Sequence, residues 1–142
     1  MIRELAVFEK LEDQCLATPE SIRESVFAEP PVAYALIAQL GQDVAGFALY
    51  FLSYSTFLAK PGVYLEDLYV RAPYRRQGVG KTLLRAVAKQ AVAMDAGRLE
   101  WAVLDWNQNA IDLYRAVGAE PQGGWTTMRL TGQALPDFAQ AD

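Results

Sequence analysis

Histidine is absent from the 142-residue chain, and cysteine occurs once, as Cys15. The first absence excludes Ser-His and Cys-His nucleophile pairs and removes the commonest ligand of zinc and iron sites. The second excludes an intrachain disulfide, and a lone cysteine reads as a small apolar filler. Basic charge is also short. The 13 Lys and Arg against 17 Asp and Glu leave a net charge of −4, whereas a nucleic-acid surface wants a basic face. Long apolar runs are missing too: a membrane span needs ~20 apolar residues, and Val44–Leu52 is only strand-length. Met1-Ile2-Arg3-Glu4-Leu5 lacks the basic and then apolar zones of a secretory leader. These absences point to a cytoplasmic protein with no metal, membrane or nucleic-acid partner. Its acid–base chemistry has to come from Asp, Glu, Tyr, Lys or Cys.

What is present fits one domain, residues 1–142, large enough for one core. Ile2–Glu9 is short and apolar on one side, as at the end of a helix. Thr18-Pro19-Glu20 carries a hydroxyl cap, a first-turn proline and an acid, and predicts a helix to about Phe27. Val32–Leu40 and Val44–Tyr54 read as strands of a hairpin around Gly41-Gln42-Asp43. Pro61-Gly62 reads as a turn before a third strand, Val63–Val70. Val79, Leu83, Leu84, Val87, Ala88, Ala91 and Val92 then recur at helical spacing, with Gly97 as the C-terminal stop. A strand over Arg98–Leu104, a helix over Asn109–Val117 ended by Gly118, a strand over Trp125–Leu130 and a short amphipathic tail complete the pattern. Hairpin strands followed by strand–helix–strand–helix–strand predict an α/β (α+β) domain with a mixed sheet and helices on its faces.

Between the third strand and the helix lies Arg75-Arg76-Gln77-Gly78-Val79-Gly80-Lys81-Thr82. Two glycines let a backbone approach a ligand, and a helix start offers unpaired N–H groups and positive potential. The arginines add charge, so the loop suits a pyrophosphate; alone, it also reads as a turn needing glycine for its geometry. Two phosphate patterns fail. The nucleotide-triphosphate loop needs glycine at position 75, which is arginine, and the dinucleotide fingerprint needs glycine at 83, which is leucine. The pattern that fits is Arg/Gln-x-x-Gly-x-Gly/Ala.

That loop, Leu65-Glu66-Asp67-Leu68-Tyr69-Val70, Asp105-Trp106-Asn107 and Ala110–Ala119 together resemble the GNAT superfamily of N-acetyltransferases, and more narrowly its diamine (spermidine/spermine) acetyltransferase branch. The resemblance implies a GNAT fold with a mostly antiparallel sheet, a splayed strand pair and acetyl-CoA as co-substrate. Backbone groups of Leu68, Tyr69 and Val70 would pair with the pantetheine arm. Arg75, Arg76, Gln77, Gly78, Val79, Gly80 and Lys81 would hold the pyrophosphate, and Asn107, Asn109 and Ala110 would touch the cofactor. Tyr114 matches the tyrosine near the thioester sulfur, and Glu66 the acid that accepts the amine proton. Phe8, Glu9, Glu100, Trp101 and Ala102 match positions lining an amine pocket, with Asp67 and Trp125 as further candidates. Tyr114 equally suits a core or rim tyrosine, and adjacent Glu66 and Asp67, on opposite faces of a strand, leave room for one solvated charge.

The chemistry is consistent with these roles. An amine with pKa ~10.4 must lose a proton before it attacks, and a phenol of pKa ~10 can protonate a departing thiolate of pKa ~8.5. The resemblance also implies a homodimer, the usual assembly of the family. Two departures stand out. The family opens with a strand and a helix, whereas this chain opens near the end of that helix, so Val32–Leu40 is expected at an exposed edge. Gly123-Gly124-Trp125 replaces an acid-Gly-Trp arrangement of polyamine-acetylating members, which puts a shorter amine, a thialysine-like amino acid or an unrelated primary amine level with polyamines. Rival readings are a protein or peptide N-acetyltransferase and a non-catalytic acetyl-CoA sensor.

Overall fold

The computed structural model describes residues 1–141, and the chain divides into two compact units, Met1–Gln108 and the part from Asn109 onward. In the first unit α1 (Ile2–Glu9) ends where Lys10 takes a left-handed turn (φ 60°). Leu5 of α1 packs on Phe47 and Tyr69. Helix α2 (Pro19–Val26) begins as the sequence predicts: the Ser21 N–H donates to Thr18 Oγ1 and the Thr18 N–H to Ser21 Oγ, each at 3.1 Å. This reciprocal cap satisfies two otherwise unpaired donors.

Strands β1 (Tyr34–Leu40), β2 (Asp43–Ser55), β3 (Lys60–Val70) and β4 (Leu99–Glu100) form one sheet in the order β1-β2-β3-β4. The first three are antiparallel neighbours, and β4 runs parallel to β3. Strand β1 lies at an edge, as expected, with Ile37 54 % exposed. Helix α3 (Val79–Ala93) packs on β1, β2 and β3 and buries Val79, Leu83, Leu84, Val87 and Ala91. Val63 and Val87 are fully buried, which places the centre of the core between β3 and this helix.

Several predicted details are corrected. Pro61-Gly62 lies inside β3, and the reversal falls at Thr56–Ala59. The Pro61 carbonyl accepts the Gly97 N–H at 2.8 Å, which ties the start of β3 to the segment leading into β4. A side chain at Gly62 would run into Ser53 Oγ, so close packing explains that glycine. Gly97 is not the helix stop: Asp95 takes the left-handed position (φ 53°), and Gly97 is small because a Cβ would meet Leu58 Cδ1 at 2.7 Å. Val92 is 81 % exposed, one step off the buried stripe. The strand expected over Arg98–Leu104 stops at Glu100, because β3 bulges at Glu66 and a bulge bends its strand away from a straight partner.

In the second unit α4 (Gln108–Ala116), which starts on the last residue of the first, ends as predicted. Gly118 adopts φ 93° while its N–H donates to Arg115 O and the Ala119 N–H to Tyr114 O, both at 3.0 Å. The strand expected over Trp125–Leu130 is not formed. Among the described residues this segment joins no ladder, and Trp125 is 86 % exposed. The tail carries α5 (Ala134–Ala139).

Candidate active site

Strand β3 has two unlike halves. Val63 and Tyr64 pair with β2 on one side and β4 on the other, whereas Asp67–Val70 pair with β2 alone. The change comes at Glu66, which is skipped in the register: Leu49 faces Asp67 and Tyr50 faces Leu65. An extra residue there breaks the strict two-face alternation. Glu66 and Asp67 therefore do not point to unrelated places, as simple alternation predicts. Asp67 feels the charges of both Glu66 and Glu9, and Glu9 feels Glu66.

The three carboxyls differ in setting. Glu66 is exposed and Asp67 half-buried. Burial, then repulsion from Glu66 and Glu9, pushes the Asp67 carboxyl up to about 6. Burial first and Glu66 second also raise the Glu9 carboxyl. On the same sheet face Phe51 stacks on Tyr64 at 5.1 Å, beside the Leu49–Asp67 pair. Sequence reasoning missed this pair, although the register Phe51↔Tyr64 follows once the hairpin is aligned.

The basic loop is braced at its start. Arg71 Nη2 donates to Glu4 Oε1 at 2.8 Å and Nε to Glu4 Oε2 at 3.0 Å, while Nη1 reaches the Val44 carbonyl at 3.2 Å. The Arg71 hydrogen bond holds the Glu4 carboxyl below its usual range. A single 3₁₀ turn, Ala72–Tyr74, follows, and hydrogen bonding to Asp43 pushes the Tyr74 phenol up. Arg75 turns back onto the protein: its Nε donates to the Val70 carbonyl at 2.9 Å, and its guanidinium lies 4.9 Å from the Phe8 ring and 5.7 Å from Tyr69. The Gln77 amide donates to Pro73 O at 3.0 Å.

Arg76 (φ 60°) and Gly78 (φ 80°) are left-handed, and Gly78 starts α3 with no side-chain cap. The carbonyl of Gly78 accepts the Thr82 N–H at 2.9 Å, but the N–H groups of Val79, Gly80 and Lys81 belong to the first helical turn, which has no intrahelical acceptors. At Gly80 an added Cβ would meet only a Val70 methyl, at 3.6 Å, so packing alone does not demand glycine. A backbone that must come close to a ligand does.

The remaining predicted positions are distributed as follows. Glu100 receives Arg98 Nε at 2.7 Å, Trp101 is half-buried and Ala102 exposed. Phe8 packs 5.8 Å from Trp106, and Lys10 lies 5.8 Å over the same indole. The Asn107 N–H donates to the Leu104 carbonyl at 2.8 Å. In the second unit Asn109 and Ala110 stand in the first turn of α4, and half-buried Tyr114 lies one turn beyond Ala110 on the same face. Among the described residues no group of three or more His, Cys, Asp or Glu is arranged for a metal, and no helix is long and apolar enough to cross a membrane.

The Acetyltransferase (GNAT) family matches residues 1–119 of the chain. Bovine thialysine N-epsilon-acetyltransferase is 40 % identical, over 98 % of this chain and 88 % of that protein. The L-ornithine N5-acetyltransferase of Arabidopsis thaliana is 58 % identical over 65 % of this chain and 40 % of its own length. Among solved structures, an integron cassette protein from the V. cholerae mobile metagenome superposes with a TM-score of 0.81 at 24 % identity, over 97 % of this chain and 86 % of that one. The chain belongs to the GNAT acetyltransferase family and has its α/β fold. It is an N-acetyltransferase, of a family that uses acetyl-CoA as co-substrate.

Proposed function

We propose that the protein transfers the acetyl group of acetyl-CoA to the primary amine of a small cationic amino acid or diamine, by direct attack. The observation that carries the amine side is the Glu9–Glu66–Asp67 group on the half of β3 that β4 leaves open. Carboxylates attract the ammonium, and Asp67, shifted toward neutrality, is matched to accepting its proton, with Glu66 beside it. Phe51 and Tyr64 offer a wall for the aliphatic stem, with Glu100, Trp101, Ala102 and Trp125 as further candidates for substrate contact. Thialysine and ornithine, the substrates named for the two relatives, are both short and cationic.

On the acyl side, the N–H groups from Arg76 to Lys81 hold the diphosphate, and Leu68, Tyr69 and Val70 pair with the pantetheine arm as a strand would. Asn107, Asn109 and Ala110 touch the cofactor, and Tyr114 protonates the leaving thiolate. The family match runs across residue 108, which supports one domain acting as a whole. We take the working form as a cytoplasmic homodimer, an assembly that light scattering checks.

A thiol-release assay with acetyl-CoA tests the reading against thialysine, ornithine, lysine, putrescine, spermidine and N-terminal peptides. The short cationic amines should give the highest kcat/KM. Turnover confined to peptides would overturn it, and so would CoA binding without turnover on any of these amines.

A further inference from the structure

The two arginines of the basic loop are not equivalent. Arg76 makes no hydrogen bond or ion pair among the described residues and takes a left-handed turn ahead of Gly78, whereas Arg75, though exposed, donates Nε to Val70 and lies over two rings. The Arg75 guanidinium is the middle of a ladder that joins three parts of the first unit. It lies 4.9 Å from the Phe8 ring of α1 and 5.7 Å from the Tyr69 ring of β3; Phe8 packs on Trp106, and Trp106 carries Lys10. The Nε donor to Val70 fixes the guanidinium at the end of β3. Glu9 lies between Phe8 and Lys10, the two α1-end residues in this ladder.

We propose that Arg75 is a positioning residue and not a phosphate ligand: it seats the end of α1 on the open half of β3, so that Glu9 stays beside Glu66 and Asp67. The cofactor loop and the amine-binding carboxylates then share one strut. Only arginine suits the place. Its planar guanidinium can lie over both rings while Nε donates to Val70, and lysine keeps the charge but loses the fork and the planar contact. The inference rests on the proposed function for its substrate side alone.

The test compares Arg75→Lys, Phe8→Leu and the double variant. Calorimetry measures CoA affinity, and steady-state kinetics with thialysine measure KM and kcat. Arg75→Lys should raise the thialysine KM on the order of tenfold, with kcat and CoA affinity changed less than about twofold. Phe8→Leu, which lies outside the cofactor loop, should do the same. The double variant should be no worse than either single one, as expected of two residues in one contact chain. A tenfold loss of CoA affinity with KM unchanged would make Arg75 a phosphate ligand and overturn the proposal, as would additive effects in the double variant. If the unsubstituted protein binds CoA but does not acetylate thialysine, the proposed substrate falls and the strut is read from urea midpoints. There, non-additive shifts of the two singles support it and additive shifts overturn it.

Discussion

The two halves of β3 are one strand with the same neighbour, β2, yet they do different work. The first half, Lys60–Leu65, is closed in: β4 pairs with Val63 and Tyr64, Val63 is fully buried, and glycines at 62 and 97 let backbone and side chains press together. The second half, Glu66–Val70, has β2 on one side only and holds the carboxyl with the most perturbed acidity. A single skipped residue, Glu66, separates them. Where both edges of a strand are satisfied, sequence is selected for packing. Where one edge is left open, polar groups can be kept part-buried for a ligand that has yet to arrive.

The largest effect should come from the open half. Asp67→Asn keeps size and burial but removes the proposed base, and should lower kcat/KM for the amine about 100-fold. Its melting temperature should not fall, because the charge removed is one that burial disfavours. A kcat/KM within threefold of the parent would remove Asp67 from proton transfer and leave Glu66 to act alone.

The closed half should show the opposite pattern. Val63→Ala deletes two methylene-sized groups from a fully buried site facing α3, and should cost about 2 kcal/mol in urea unfolding. Activity per folded molecule at low temperature should stay near the parent value. If Val63→Ala reduced kcat/KM as much as Asp67→Asn does, the division between the two halves would be wrong.

The sequence made parts of this division legible and hid others. Local chemistry was readable: the Thr18 cap, the Gly118 stop, the start of α3 at Gly78 and the odd pair of acids in an apolar strand each depend on residues within one turn. What depends on a distant partner was not. The Arg71–Glu4 ion pair joins residues 67 apart, and nothing in either neighbourhood announces it. Arg98–Leu104 has strand composition but a ladder of only two residues, because its partner bulges. Trp125–Leu130 has the right residues but joins no ladder among the described residues. Arg75 lay in a recognisable phosphate motif, and its rings, Phe8 and Tyr69, come from elsewhere in the chain. Periodicity says which residues want burial, but not which backbone edges will be left open.

The smallest expected effect sharpens the comparison through pH. The Asp67 carboxyl titrates at about 6 in the folded protein and at about 3.9 when unfolded. The native state therefore holds this proton more tightly, and the stability linked to it is complete below pH ~4 and is lost as pH rises through ~6. Two pH units correspond to about 3 kcal/mol, and solvent on the open side of β3 screens this to about 1–2 kcal/mol. Asp67→Asn should then be more stable than the parent by that amount at pH 7.5 and equal to it at pH 4, in urea titrations at both values. A gain that is the same at both pH values would mean packing, not charge, distinguishes the variant. A loss at pH 7.5 would mean that the open half stabilises the Asp67 carboxylate, in which case it is not the half that sacrifices stability to keep a base ready.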